Sequence, residues 1–379
     1  MKVLYLVNCS NFFRTHFVNL AISVKDQGHE VCIAAGNDIQ KEYLESLGFS
    51  FVLIPLSRSG KGIVDELVSI TAIFRLIQKF SPDYIHTFTI KPVLYGGIVC
   101  KIFSPFRKTK TISSITGLGS ASMAQSRKGK ILWAFLKLFY RCSLSGNKSK
   151  VLFENEDDRR FFLDSKIVTR DQTAIINGAG VDVNEFSPRS PSSSLISVVF
   201  VARLLRDKGV EEYIRAGEIL RELNVPVELL LIGSTDPNNP SSMDDEDIAE
   251  ANEKKYIRAL GFRTDIAKCY QNSHIACLPS YREGLPKSLI EAAACGLPII
   301  TTDVPGCRQM VHNGRNGVLV PAKNSRALAM AIKDLVEDPI KRIKMGQESR
   351  KIAESKYSNE MIIESFFRVY GFKGQEKNE

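Results

Sequence analysis

Short apolar runs alternate with longer amphipathic ones from one end of this chain to the other, and that rhythm confines the fold. Lys2-Val-Leu-Tyr-Leu-Val-Asn8 reads as a buried strand, followed by a polar turn, a helix over 14–27 and a stop at Gly28. Residues 28–36 supply a second strand, and further strands fall at 51–55, 84–88, 109–115 and 150–153, with helices over 64–80, 92–103 and 130–143 between them. Strands that alternate with helices imply a parallel, doubly wound sheet, because each crossover must pass over a face of that sheet.

The pattern restarts after Ser187-Pro-Arg-Ser-Pro-Ser-Ser-Ser194, a Pro- and Ser-rich stretch without large apolar residues. A second series has strands at 196–202, 227–232, 275–278, 298–302 and 317–320. Its helices fall at 210–223, 248–260, 266–273, 325–335 and 340–356. A last helix over 361–370 carries the apolar face Met361, Ile362, Phe366, Phe367 and Tyr370. The 379 residues are enough for two cores. The expected domains are 1–187, 188–357 and a closing helix with a polar tail over 358–379.

Several classes drop out early. No run approaches the roughly 20 apolar residues of a membrane span, and the N-terminus is strand-like and too short for a signal peptide, so a cytoplasmic protein is expected. The eight cysteines are scattered without a Cys-x-x-Cys pair and read as small buried hydrophobes. The first strand-to-helix loop, Asn8-Cys-Ser-Asn-Phe-Phe-Arg-Thr-His16, lacks Gly-x-Gly-x-x-Gly, and Gly117-Leu-Gly119 has no third glycine in place, which disfavours a dinucleotide-dependent dehydrogenase.

Tyr281-Arg-Glu-Gly-Leu-Pro-Lys-Ser-Leu-Ile-Glu-Ala-Ala-Ala-Cys-Gly296 is the stretch with most chemical content. Pro286 suits the first helical position, Ser288 to Cys295 are good helix formers, and Gly296 is a natural terminator. Between apolar runs at 274–278 and 297–302 this makes a strand, loop, helix and strand, with the loop at the carboxyl end of a strand, where open α/β sheets bind ligands. The helix start offers backbone N–H groups to an anion, with Glu283 on one side and Glu291 on the other able to accept from hydroxyls. The competing reading is an exposed helical Glu291 and a Glu283 that merely suits the helix dipole.

Arg203 and Lys208, in Val201-Ala-Arg-Leu-Leu-Arg-Asp-Lys-Gly209, lie at the carboxyl end of the second series' first strand. A guanidinium fork and an ammonium can neutralise one diphosphate, though a solvated basic turn is the plainer alternative. Asp244-Asp-Glu-Asp247 contains Asp-x-Asp, but it follows a Pro- and Asn-rich loop and opens a helix, so acidic N-capping explains it better than a metal does. No metal ligand set and no cofactor are expected. His86 closes a strand and precedes Thr-Phe-Thr-Ile-Lys91, which would put both at a cleft.

The net charge is +9, and residues 101–150 alone hold 11 Lys and Arg with no Asp or Glu. Basic residues there interleave with bulky apolar ones, as in Ile131-Leu-Trp-Ala-Phe-Leu-Lys-Leu-Phe-Tyr-Arg141, which suits an anionic membrane surface. A helix that buries its apolar face in the first domain is the alternative, and the two are compatible. No nucleic-acid-binding motif accompanies the patch, so no nucleic-acid partner is expected.

Together the motifs resemble retaining glycosyltransferases of the GT-B fold, in the large family called GT4. The resemblance covers almost the whole chain and rests most on Glu283 to Glu291, Ala202-Arg203 with Lys208-Gly209, and Asn177-Gly-Ala-Gly-Val-Asp182 with Phe186. Within that family, Thr116-Gly-Leu-Gly-Ser120, Phe153-Glu-Asn155-Glu156 and Gly233-Ser-Thr-Asp-Pro-Asn-Asn-Pro240 are similar to bacterial N-acetylgalactosaminyltransferases acting on undecaprenyl-diphosphate saccharides. The fold class implied is α/β, two Rossmann-like domains facing across a cleft, with the C-terminal helix crossing back to the first.

The resemblance also implies roles. Arg203 and Lys208 would neutralise the donor diphosphate, and Glu283 would contact the transferred sugar. Gly284, Leu285, Pro286, Lys287 and Ser288 would present amides to the phosphates and sugar, and Glu291 would hold the ribose. Gly261, Phe262 and Arg263 would frame a uracil. Asn11, His86, Lys91, Thr116, Gly117 and Asn155 make up the candidate acceptor side. Two departures stand out. Ser10-Asn11 with Phe12-Phe13 replaces a glycine pair common in the first loop, and Thr116 stands where many members have histidine.

The activity expected is transfer of a hexose or N-acetylhexosamine, GalNAc or GlcNAc, from a UDP-sugar to a lipid-linked saccharide in bacterial polysaccharide assembly. It would occur on the inner face of the cytoplasmic membrane, approached through residues 101–150. A UDP-sugar 2-epimerase of the same fold, or a non-catalytic partner of a glycan assembly complex, are the alternatives.

Overall fold

A computed structural model of the chain describes residues 1–56, 62–103, 108–118, 127–146, 149–191 and 193–372. Two compact units emerge, one formed by residues 1–176 with the chain from Ile363 onward, the other by Asn177–Ile362.

The first unit is built on a seven-stranded, fully parallel sheet. Its strands are β1 (Lys2–Val7), β2 (Glu30–Ala35), β3 (Ser50–Leu53), β4 (Tyr84–Phe88), β5 (Lys110–Ile115), β6 (Ser149–Phe153) and β7 (Thr173–Ile175). Their order is β3-β2-β1-β4-β5-β6-β7. Val3, Leu4, Leu6 and Val7 of β1 are buried regardless of parity, as expected of a strand covered on both faces. The helices Ile63–Phe80, Ile90–Phe103 and Arg127–Leu144 cover it with two apolar clusters, one around Ile73, Ile77 and Val99 and the other around Val93, Tyr140 and Leu144. Each such buried side chain contributes about 1.5–3 kcal/mol.

The second unit repeats the plan with six parallel strands: β8 (Ile196–Val201), β9 (Val227–Ile232), β10 (Arg258–Gly261), β11 (Ile275–Leu278), β12 (Ile299–Thr302) and β13 (Gly317–Val320). The order is β10-β9-β8-β11-β12-β13. One continuous core runs through it, from Val198 and Phe200 to Leu289, Ile332 and Leu335.

Some expectations need correction. The Pro- and Ser-rich stretch is not where the units part. The break falls at Ile176 and Asn177, and the following chain already belongs to the second unit, with Phe186 buried in its core and Val181 bridged to Ser358. Ser192 lies outside the described residues. The helix expected over 248–260 runs Asp245–Glu253, and Arg258–Gly261 forms edge strand β10 instead. Short strand β7 and the helix Glu156–Asp164 went unexpected, both being too brief for periodicity to register. Cys142 is exposed and Cys9 and Cys269 half-buried, so not every cysteine is a core residue.

Candidate active site

In an open α/β sheet the crevice forms where strand order reverses, outside the carboxyl ends of the two strands that flank the reversal. In the second unit that point lies between β8 and β11, so the loops after Val201 and Leu278 must line it. These are the two stretches that carry Arg203, Lys208 and Glu283.

Lys208 and Glu283 meet there. Lys208 Nζ donates to Glu283 Oε1 at 2.5 Å and to Oε2 at 2.7 Å, and Ser280 Oγ donates to Oε1 at 2.7 Å. Their side chains are 21% and 11% exposed, so the pair is shielded without being sealed. The loops are stapled to each other: Tyr281 N–H donates to the Asp207 carbonyl at 2.9 Å, and Ser280 Oγ, whose one proton is shared with Glu283, lies 3.0 Å from the same oxygen. Gly209 is what lets the loops approach. Its φ of 79° is left-handed, and a Cβ there would run into the Pro279 carbonyl.

Neighbouring groups brace the arrangement. Tyr281 Oη donates to Glu212 Oε1 at 2.7 Å, while Glu212 Oε2 is buried without a hydrogen-bond partner. Lys323 Nζ sits 4.8 Å from the Tyr281 ring centroid. The backbone N–H of Glu283 donates to Pro305 carbonyl at 3.1 Å, which ties the loop to the segment after β12. Glu212 and Ser280 gave no signal in the sequence, since only folding brings them to this loop.

Pro286 is the cap of the following helix rather than its first residue, and the helix runs Lys287–Ala294 with Gly296 just past its end at φ 74°. Gly284, Leu285 and Pro286 are buried in the turn, and Lys287 and Ser288 open the helix. Glu291, one turn in, is not the exposed helix residue of the competing reading. Its side chain is only 13% exposed, with Lys287 Nζ 3.4 Å away. Burial raises its carboxyl above the ordinary value, and Lys287 offsets part of that rise.

Arg203 and Lys208 do not share a partner. Arg203 Nη1 pairs with Asp236 Oδ2 at 2.7 Å, Asp236 lying in the loop after β9, and the arginine side chain is 44% exposed. Gly261, Phe262 and Arg263 follow edge strand β10. Phe262 is 73% exposed, and Arg263 forms a bidentate pair with Asp265 at 2.7 and 2.8 Å. The acidic run opens the helix Asp245–Glu253 as expected, but Asp244 at the cap makes no capping bond with its side chain and pairs with Arg206 instead. No cluster of three or more metal-binding side chains occurs among the described residues.

The acceptor-side candidates fare differently. His86 lies mid-strand in β4 and is fully buried, bonded through Nδ1 to Tyr370 Oη at 2.6 Å and through Nε2 to Ser114 Oγ at 2.7 Å. Burial holds its pKa well below the ordinary histidine value. It is a core residue, and its expected place at a cleft is withdrawn. Asn155 is buried as the cap of the helix Glu156–Asp164, accepting from Asp158 N–H at 2.7 Å, which is a structural task. Lys91 Nζ is engaged by Glu66 Oε1 at 2.6 Å. Asn11 is exposed in the first helix and accepts from Gln40 Nε2 at 2.6 Å. Thr116 and Gly117 are half-buried just past β5, and Gly119 and Ser120 lie outside the described residues.

The first unit has its own strand-order reversal, between β1 and β4. β1 and β4 pair in parallel up to Leu6 and Thr87, so Asn8 and Thr89 both follow the carboxyl ends of these neighbouring strands. Asn8 Oδ1 and Thr89 Oγ1 are both buried and lack hydrogen-bond partners, and Thr89 holds a φ of 69°. A β-branched residue in that region costs on the order of 1–3 kcal/mol. Neither residue was singled out from the sequence, because the pairing depends on two strands about 80 positions apart.

Residues 184–352 match the family Glycosyl transferases group 1, and residues 2–155 match Glycosyl transferase 4-like. This chain is a GT4-like glycosyltransferase. It is 25% identical over 362 residues to the N,N'-diacetylbacillosaminyl-diphospho-undecaprenol alpha-1,3-N-acetylgalactosaminyltransferase of Campylobacter jejuni, covering 92% of each chain. The UDP-Gal:alpha-D-GlcNAc-diphosphoundecaprenol alpha-1,3-galactosyltransferase of Escherichia coli is 23% identical, with 79% of this chain and 78% of that one covered. Among solved structures, Anabaena HepE in complex with UDP superposes with a TM-score of 0.78 at 18% identity, over 98% of this chain and 100% of that one. The fold of the glycosyltransferase is thus GT-B, with two Rossmann-like parallel-sheet domains.

Proposed function

We propose that this glycosyltransferase moves a hexose or N-acetylhexosamine, GalNAc or GlcNAc, from a UDP-sugar to a lipid-linked saccharide with retention of the α configuration. The observation that carries the reading is the Lys208–Glu283 pair at the strand-order reversal of the second unit. Support for the acceptor class comes from two relatives named for undecaprenyl-diphosphate-linked acceptors.

Bond breakage to the leaving nucleotide builds negative charge on the β-phosphate, and donors aimed at that charge lower the barrier. Lys208 supplies a mobile ammonium for it and Arg203 a guanidinium. The donor diphosphate competes with Glu283 for Lys208, and the freed carboxylate then accepts from hydroxyls of the transferred sugar. Glu291 accepts from the ribose hydroxyls. The positive charge that a divalent ion would bring is already present in Lys208 and Arg203, so turnover proceeds without metal.

The acceptor is carried by a membrane, and the helix Arg127–Leu144 is suited to approach one. Phe135, Leu138 and Phe139 are 48–60% exposed beside Lys137. Segments 104–107, 119–126 and 147–148 of the basic region lie outside the described residues. No described helix is long and apolar enough to cross a membrane, so peripheral attachment to anionic lipid at the inner face is the form proposed.

The test is a panel of UDP-sugars with undecaprenyl-diphosphate saccharides, with mass analysis of the lipid product and NMR of the new anomeric linkage. A lipid product longer by one hexose or hexosamine with an α linkage is expected, unchanged by EDTA. UDP-sugar isomerised without any acceptor, or no product from any pairing, would overturn the reading.

A further inference from the structure

The opposite edge of the second unit's sheet holds a separate cavity. It has a volume of about 800 Å³ and is walled by the segments that enter β8, β11 and β12, together with the helix Pro339–Ile352. Strands of four to six residues separate it from the donor loops at the carboxyl edge. At about 3.3 Å per residue that is roughly 13–20 Å of sheet.

The charge of this cavity is one-sided. Arg189, Arg342, Arg350, Lys351 and His274 line it, and no Asp or Glu among the described residues does. Two of these groups are held in place by carbonyls. Arg342 Nη1 donates to Leu335 and Val336, and Arg350 Nη1 donates to Val183, Phe186 and Ala294. Arginines that cap helix ends in this way are ordinary, but each spends a single nitrogen on the task. Arg350 Nε and Lys351 Nζ pair with Glu354 and Glu348, neither of which lines the cavity. Among the described residues the Nε and Nη2 of Arg342 make no hydrogen bond, although the charge of Asp338 acts on that guanidinium, and Arg189, exposed on the chain before β8, makes none with its side chain.

His274 is held at the wall by the β8 entry. Its Nδ1 accepts from the Ser197 backbone N–H at 3.2 Å, which leaves Nε2 as the proton-bearing nitrogen. Burial first, and the charge of Arg342 second, push its pKa down, which places the imidazole beside that guanidinium at the cavity wall. A cavity of this size suits a small molecule rather than a single ion. Guanidinium groups held by carbonyls meet phosphate oxygens at little entropic cost.

We propose that this cavity is a second anion site of the glycosyltransferase, taking a phosphate-bearing ligand independently of the donor diphosphate. The phosphate belongs either to a soluble phosphorylated compound or to a lipid headgroup. Ile340 and Ile343, 80% and 60% exposed on the same helix, give the second source an apolar contact.

The experiment uses the full chain saturated with UDP, so that the donor loops are occupied. Inorganic pyrophosphate is titrated while the His274 imidazole resonances are followed by NMR, and in parallel the protein is sedimented with phosphatidylglycerol or phosphatidylcholine vesicles. Pyrophosphate shifting His274 toward the protonated position is expected, with Arg189→Ala binding about tenfold more weakly. Arg189 makes no side-chain hydrogen bond among the described residues, so its replacement is expected to leave Tm unchanged. Arg342→Gln is read only after its own Tm is measured, because it also loses two carbonyl contacts. Retention on phosphatidylglycerol vesicles that Arg189→Ala reduces, without a pyrophosphate response, supports the site and assigns it to headgroups. If His274 stays unmoved and Arg189→Ala matches the parent in both arms, the proposal is wrong, whatever the outcome of the transfer assay.

Discussion

Lys208 and Glu283, 75 positions apart, close a two-pronged ion pair of 2.5 and 2.7 Å across the strand-order reversal of the second unit. Lys208→Ala should lower kcat by about 10²–10³, the usual scale for loss of one donor to transition-state charge. Glu283 then lacks its cation and keeps, among the described residues, the Ser280 hydroxyl, so about 1–3 kcal/mol of stability should go as well. Steady-state kinetics and urea unfolding separate the two effects, and a variant that unfolds more easily yet turns over normally would show the pair to be structural only.

Glu291 links pH to stability. Its folded pKa is raised above the ordinary 4.5, so the folded state holds a proton that the unfolded chain releases first. Stability from this group is therefore full below about pH 4.5 and is lost as pH rises through the raised value. Glu291→Gln should melt higher than the parent near neutral pH, and the gap should vanish on acidification. UDP affinity should fall about tenfold in the same variant, since a charged acceptor of ribose hydroxyls is lost. Thermal melts over pH 4–8 and UDP titration check both.

Gly209 sits where the lysine turn meets the Glu283 loop. Gly209→Ala must adopt a left-handed φ and push against the Pro279 carbonyl. A loss of about 2 kcal/mol or more is expected, together with a drop in kcat, because both loops shift. Equal urea midpoints for parent and variant would contradict this.

Thr89 holds a strained φ and an unpaired buried hydroxyl at the same strand-order reversal as Asn8. Groups of this kind collect at binding sites. Thr89→Val keeps the shape and removes the hydroxyl, so KM for the saccharide acceptor should rise several-fold while KM for the UDP-sugar stays put. Unchanged acceptor KM would assign the hydroxyl to the fold alone.

His86 offers the contrasting case. It is buried and neutral, so its folded pKa is depressed and its contribution to stability is lost as pH falls below about 6.5, where the unfolded chain gains a proton. His86→Ala should cost about 2–4 kcal/mol, through a lost side chain and the bonds it makes to the Tyr370 and Ser114 hydroxyls, yet kcat of the folded protein should not change. Kinetics on material shown by circular dichroism to be folded test this.

The sequence by itself determined the two parallel sheets, because parallel strands buried on both faces leave continuous apolar runs that composition cannot hide. It also determined the Tyr281 to Gly296 stretch, since a loop, a short helix and a glycine stop are local events. It could not tell His86 from a cleft residue or Asn155 from a ligand contact. Whether a polar side chain is buried in a core, caps a helix or faces a ligand depends on partners such as Tyr370, hundreds of positions away. Only the tertiary structure decided that Lys208 belongs with Glu283 and Arg203 with Asp236, that Glu291 is buried, and that Asn8 and Thr89 share an edge. Each of these follows from strand order, and strand order is set by how crossovers pack, which no local window of sequence contains.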